Sequence, residues 1–433
     1  MKSLNKKNTK WLIPAVLAVS VLCCCDAFAV IPGITGDTFN LTVRSGQIVT
    51  PDGGSYRMWG YSDDDGRNSM QYPGPTLILE QGVPVTIYLK NALQSNSPVN
   101  VSMVFPGQSD ITASGGIVGI ATHEAPQNDA TVVTYTFTPT EPGTYIYHSG
   151  TNPELQIEMG LVGAIIVRPT NFDPNGIKTA YDVAVPGTEY DYEYLFLITE
   201  MDPRVHMLVE MGRMDEIDFT DYFPVNWFIN GRCAPDTMRM PEFELLPTQP
   251  YNCLPRMNPG GRMLLRMIGG GRDPHPFHTH GNNFDLIARD GRVLESAPGV
   301  GPDRAVSNFT QTVVPGATHD AIFQWTGAGL GWDIYGHDAN DPEELHEYSP
   351  DHGEPFPVIL PDEKDLTFGA FYSGSPFLGV FDPLPPGAAG LSMNAGFFYM
   401  WHSHNEKEMV NNDVFPGGLM TMLIIEPPSV TIP

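Results

Sequence analysis

The sequence predicts an all-β protein made of two copies of one sandwich or barrel unit. Three observations carry that reading. The chain has 433 residues, enough for two sizeable cores, and holds 44 Gly and 41 Pro, the residues of tight turns. Short runs alternate apolar and polar residues with period two. One segment pattern, a histidine-bearing loop followed by a Gly-led apolar strand, occurs twice.

The alternation is clear in Val85-Thr86-Ile87-Tyr88-Leu89-Lys90, where Val85, Ile87 and Leu89 fall on one face. It recurs in 131–138, where Val133, Tyr135 and Phe137 share a face. Turn clusters such as Pro73-Gly74-Pro75 and Glu141-Pro142-Gly143 separate such runs. The repeat pairs Tyr145-Ile146-Tyr147-His148-Ser149, ahead of the strand 160–167, with Tyr399-Met400-Trp401-His402-Ser403-His404, ahead of the strand 417–425. The first unit is expected over 36–169 and the second over 186–428, with 168–186 as the linker. An insertion at about 333–365 carries eleven Asp or Glu against one Lys, together with His337, His346 and His352. It reads as a solvated acidic loop, with loose metal capture as the alternative. Met207, Met211 and Met214 are spaced for one helix face and read as an apolar packing surface, with a Cu(I) site as the alternative.

Residues 1–29 read as a secretion signal: Lys2, Lys6, Lys7 and Lys10, then an apolar run, then Ala27-Phe28-Ala29 before Val30. The protein is therefore expected to be exported, to the periplasm, cell surface or medium, without membrane insertion once the signal is removed. Cys23, Cys24 and Cys25 would leave with that segment. Cys233 and Cys253 would remain, expected as a disulfide in an oxidising compartment, with two thiolate ligands as the other arrangement. The formal charge of −27 argues against binding nucleic acid or an anionic membrane surface and favours cationic partners such as metal ions.

Of twelve histidines, five fall in two tight groups. His275-Pro276-Phe277-His278-Thr279-His280-Gly281 is one, and His402-Ser403-His404 the other. On extended strands His278 and His280 point the same way, as do His402 and His404. Two such pairs on facing strands can aim four imidazoles at one point, a good donor set for copper or zinc. Glu406, Glu408, Asn282 and Asn283 lie near these pairs, and Glu154 and Gln156 follow His148; all read as surface or supporting polar groups. His123, His206 and His319 stand alone and read as structural.

These segments resemble the multicopper oxidases, the family of laccases and cuprous oxidases. The match runs through Pro73-Gly74-Pro75-Thr76 to Asn91, His148 to Gln156 with Gly160-Leu161-Val162-Gly163, His275 to Gly281, and His402 to His404. The resemblance implies tandem cupredoxin-like Greek-key β-barrels or sandwiches. It also implies four coppers, of which this chain keeps few ligands. Val104 and Pro106 stand where the first His pair would be, Gly150 replaces the partner of His148, Ser403 stands at the blue-copper Cys, and Glu408 at its second His. By the family's assignments, metal ligands would be His148, His278, His280, His402 and His404, with His275 the remnant of the blue centre. One or two coppers are expected, the full set of four not. Three functions follow: a copper oxidoreductase acting on a metal ion or small molecule, a non-catalytic metal-binding or cell-surface protein on the same scaffold, and zinc-based hydrolysis. Two-domain relatives imply a homotrimer.

Overall fold

The computed structural model describes residues 31–432 apart from 95–97, 183, 326–331, 334–339, 343–353, 356–374, 377–396 and 427–429. The expected signal segment and most of the acidic insertion, with His337, His346 and His352, lie outside the described residues.

The first unit is a pair of sheets. One has the order Ser55–Asp63, Thr38–Val49, Val85–Asn91, Asn128–Phe137, Thr112–Gly115; the other runs Ile34–Thr35, Leu77–Glu80, Val162–Arg168, Gly143–His148. Hairpin neighbours such as Thr38–Val49 and Ser55–Asp63 sit beside parallel pairs of strands remote in sequence, Thr38–Val49 with Val85–Asn91 and Leu77–Glu80 with Val162–Arg168. The period-two pattern decides which side chains fill the space between the sheets: Val85, Ile87, Leu89, Val133, Tyr135 and Phe137 all enter one core with Leu77, Tyr147 and Ile165.

The second unit repeats the plan. A sheet led by Asn226–Ile229, Tyr192–Met201, Arg262–Gly269, Thr318–Gln324 and Phe284–Arg289 faces one ordered Arg256–Met257, Met420–Ile425, Phe397–Ser403, His275–His278, Thr310–Val313. Its core is built on Phe196, Met263, Phe277, Phe323, Trp401 and Leu423. The protein is thus all-β in two units of one plan, as the alternation and repeat predict.

The units are joined by apolar packing and by charge. Ile146, Val162, Ala164 and Ile166 of the first meet Leu195, Leu197, Phe228 and Ile268 of the second in one buried cluster. Beside it, Arg168 at the end of the first unit pairs with Glu193 of the second, and Arg266 donates to the same carboxylate at 3.0 Å. Thr144 and Tyr181 donate to Asp320 at 2.6 and 2.7 Å. Burial works against the charge on Glu193, but the two guanidiniums outweigh it and hold its pKa down at about 2. The linker is itself tied down, with Lys178–Thr179 pairing Glu189–Tyr190.

Two expectations need correction. Cys233 and Cys253 are free, buried thiols rather than a disulfide. Cys233 packs in the cluster between the units and Cys253 in the core of the second, so different layers claim the two side chains. The Met-rich run forms the helix Pro203–Glu210, started by the Asp202 side chain accepting from the Arg204 N–H, but it stops before Met211 and Met214. Met207 and Met211 are exposed, and only Met214 packs against the first core.

Candidate metal centre

Two antiparallel strands build the centre. In the pairing of His275–His278 with Phe397–Ser403, Phe277 lies opposite Ser403 and His278 opposite His402. Alternation then sorts the side chains. His275, Phe277 and Ser403 turn to the buried face, where none exposes more than a trace. His278 and His402 turn to the other, joined by His280 and His404 from the chain just beyond each strand.

On that outer face the ligand atoms of His278, His280 and His402 all lie within 4.8 Å of one another. The Nε2 atoms of His280 and His402 are 3.2 Å apart. Two nitrogens bound to one ion at about 2.0–2.1 Å on tetrahedral corners stand roughly 3.3 Å apart, so this pair already has the spacing of co-ligands. The His404 ring stacks edge-on to His278 with centroids 4.8 Å apart. The donor state fits as well. His402 Nδ1 donates to the Ser403 carbonyl at 2.7 Å, which leaves Nε2 as the lone-pair nitrogen of a neutral ring. His278 Nδ1 is held by Thr310 Oγ1 at 2.7 Å. Burial, then the nearness of His280, His402 and His404, pushes His278 down to about 4, and burial lowers His402 also. Both are neutral near pH 7, the form that ligates.

The buried face is wired differently. His275 Nε2 meets Glu200 Oε2 at 2.9 Å and its Nδ1 meets Glu408 Oε2 at 2.9 Å. Ser403 Oγ donates to the same Glu408 oxygen at 2.6 Å, and Asn405 Nδ2 to Oε1 at 2.8 Å. Burial opposes charge on His275, but the hydrogen bonds and charges of Glu200 and Glu408 outweigh it and raise the imidazole to about 9. Both nitrogens of His275 are thus engaged by carboxylates. Around His275 stand two carboxylates, one of them bonded to a serine hydroxyl, whereas a blue copper takes a thiolate and a second imidazole. This donor set does not fit a blue copper.

His148 belongs to the first unit and is not among the imidazoles gathered within that distance. Its Nδ1 lies 2.9 Å from the Ser149 carbonyl, and burial lowers its pKa. Where its partner would stand, a Cβ on Gly150 would come within 2.6 Å of Val104 Cγ1. Of the six candidate ligands, then, His278, His280 and His402 are gathered, His404 adjoins them, and His148 and His275 lie outside the group. His123 and His206 hydrogen-bond backbone carbonyls, of Gly115 and Arg57.

The sequence reading passed over Glu200 and Thr310. Glu200 lies 75 residues from His275 with no motif linking them. One signal was present: a carboxylate closing the apolar run Leu195–Ile198, in a strand whose other residues are nearly all buried.

Comparison with known proteins agrees with this architecture. Residues 46–171 match the multicopper oxidase family model. Multicopper oxidase VdtB of Byssochlamys spectabilis is 32% identical over 98 residues, which are 23% of this chain and 13% of that protein. The chain thus aligns with a small part of that relative's length. Among solved structures, the blue copper oxidase from Nitrosomonas europaea superposes with a TM-score of 0.54 at 18% identity, over 89% of this chain and 85% of that one. Multicopper oxidase mgLAC gives 0.54 at 16% identity, over 92% and 87%. At those identities the likeness is one of fold. The fold class is the cupredoxin-like tandem. Residues 46–171 carry a multicopper oxidase segment, and copper is the metal which that family implies.

Proposed function

We propose that this chain is an exported copper-binding oxidoreductase with a reduced metal complement, its copper held by His278, His280, His402 and His404 and no blue copper present. The observation that carries this reading is the 3.2 Å approach of the His280 and His402 Nε2 atoms within a cluster of imidazoles. Copper bound there would supply one-electron redox chemistry and polarise a ligated substrate atom. The protein's own part is to bring the His280 and His402 Nε2 atoms together, keep His278 and His402 unprotonated, and leave an approach from the exposed His404 side. Export is supported by the basic, apolar and small-residue order of the N-terminal segment, and no helix of the described residues is long and apolar enough to cross a membrane.

Metal analysis after reconstitution tests the reading: about one equivalent of copper, lost in His402→Ala, with no intense absorption near 600 nm. Less than about 0.3 equivalents in the wild type would sink it. A non-catalytic binder is the second reading, favoured by the loss of the thiolate that would carry electrons inward. Oxygen consumption with a reductant, equal in wild type and His402→Ala, would decide for the binder.

Assembly belongs to the same proposal. His148 stands apart from the cluster, and the apolar hairpin residues Ile117, Val118 and Ile120 of its unit are exposed, as is Phe309 next to His278. A homotrimer that seats the first unit of one copy on the second unit of the next would cover both. A monomer at all concentrations in sedimentation would remove that part of the proposal.

A further inference from the structure

We infer that Glu408 is a positioning residue for the imidazole cluster: it orients His402 and His404 from the opposite face of their strand, standing where a metal would otherwise organise the same backbone. The inference rests on the reading of the cluster as the metal site.

Three donors converge on this one buried carboxylate. His275 Nδ1 and Ser403 Oγ share Oε2, and Asn405 Nδ2 takes Oε1. Ser403 lies between the two histidines in sequence. Its N–H donates to the Leu419 carbonyl at 2.9 Å, its hydroxyl is held by Glu408, and its own carbonyl accepts from the His402 ring. The peptide that aims His402 is therefore fixed through the serine. The Asn405 N–H donates to Ser403 Oγ at 3.2 Å, which fixes the peptide after His404 in the same way. Glu408 is anchored in turn, since its carbonyl accepts from the Leu419 N–H and its N–H donates to the Asn405 carbonyl. On the facing strand the same carboxylate holds His275, three residues before His278.

As its donors stand, this position calls for a carboxylate. An amide of the same shape has one acceptor end and one donor end, so with Gln at 408 either Asn405 must turn its own amide or His275 and Ser403 must change from donor to acceptor. Either change gives up hydrogen bonds that hold the turn beside His402 and His404. Glu200 holds His275 from its far side and takes the N–H groups of Arg272 and Asp273, so it touches neither residue beside His402. It stabilises the centre without aiming the cluster.

The test compares full-length Glu408→Gln, Ser403→Ala and Glu200→Gln with wild type, each under conditions where circular dichroism shows it folded. Two readouts are needed. Without metal, amide hydrogen exchange of residues 402–405 should speed up at least tenfold in Glu408→Gln and Ser403→Ala but not in Glu200→Gln, with the strand Thr38–Val49 unchanged in all. With copper(II) added, affinity should fall at least tenfold in the first two, and the electron paramagnetic resonance spectrum should show more than one copper environment. Wild-type exchange at 402–405 in folded Glu408→Gln, or in Ser403→Ala if the first does not fold, overturns the inference. A wild-type protein that takes up no copper would instead overturn the metal reading, while the exchange measurement still decides the role of Glu408.

Discussion

The chain contains the same local circuit twice, and the two copies differ by one charge. In the first unit His148 donates through Nδ1 to the Ser149 carbonyl, Ser149 Oγ donates to Gln156, and the Ser149 N–H donates to the Leu161 carbonyl. In the second, His402 donates to the Ser403 carbonyl, Ser403 Oγ to Glu408, and the Ser403 N–H to the Leu419 carbonyl. Strand, His-Ser, short helix and Gly-led strand are thus one design used twice. The acceptor side chain follows its surroundings. Gln156 accepts from one hydroxyl and donates to the Asn100 carbonyl, a mixed demand that an amide meets. Glu408 meets only donors, one of them the protonated His275. A buried negative charge stands where a positive one compensates it, and a neutral amide stands where none does.

The largest effect should come from removing that charge. Glu408→Ala leaves His275 against Glu200 alone and should cost about 3–5 kcal/mol, against about 1–3 kcal/mol for Gln156→Ala, both read from denaturant unfolding. Equal losses would break the comparison. Acidity should separate the copies next. His275 has its pKa raised in the folded state, so its contribution is fully present below the unfolded value near 6.5 and is lost as pH rises through about 9. The groups that face it are Glu200, Glu408 and Asp273. Unfolding measured from pH 6.5 to 9.5 should show a loss on the order of 3 kcal/mol that is missing in His275→Asn. Ser403→Ala removes a hydrogen bond to a charged group and should cost about 1.5–3 kcal/mol, while Ser149→Ala, bonded to a neutral amide, should cost about 0.5–1.5 kcal/mol. The smallest effect is steric. Gly150→Ala drives a Cβ toward Val104 Cγ1 and should cost about 1 kcal/mol, recovered on adding Val104→Ala; no recovery would place the strain elsewhere.

Much of this was legible in sequence where physical periodicity is local. Val85, Ile87 and Leu89 announced their core, and the two His-x-His spacings announced a shared face, because a strand's side chains alternate whatever the tertiary context. His275 was assigned with its neighbours on a motif, although its odd offset from His278 already placed it on the opposite face. What it meets there depends on Glu200 and Glu408, brought in from other strands and turns, and no spacing in the chain encodes that meeting. Glu408 was visible as a departure from the family pattern, but its role needed the geometry of Ser403 and Asn405. The cysteines show the same limit. A short Pro-rich separation favours closure of a loop, yet the layers into which Cys233 and Cys253 fold are set by residues such as Leu197 and Trp401, far along the chain from either.

The buried His275 circuit also bears on how the chain can change by mutation. A blue centre cannot be built here one substitution at a time. Ser403→Cys alone sets a thiol against the Glu408 carboxylate, whose charge opposes forming the thiolate that copper needs. Glu408→His alone brings a second imidazole to a ring that Glu200 still holds. Loss of Glu200 alone strands the N–H groups of Arg272 and Asp273. Each first step loses stability before any metal can repay it, so the ion pair resists replacement by a copper site one residue at a time.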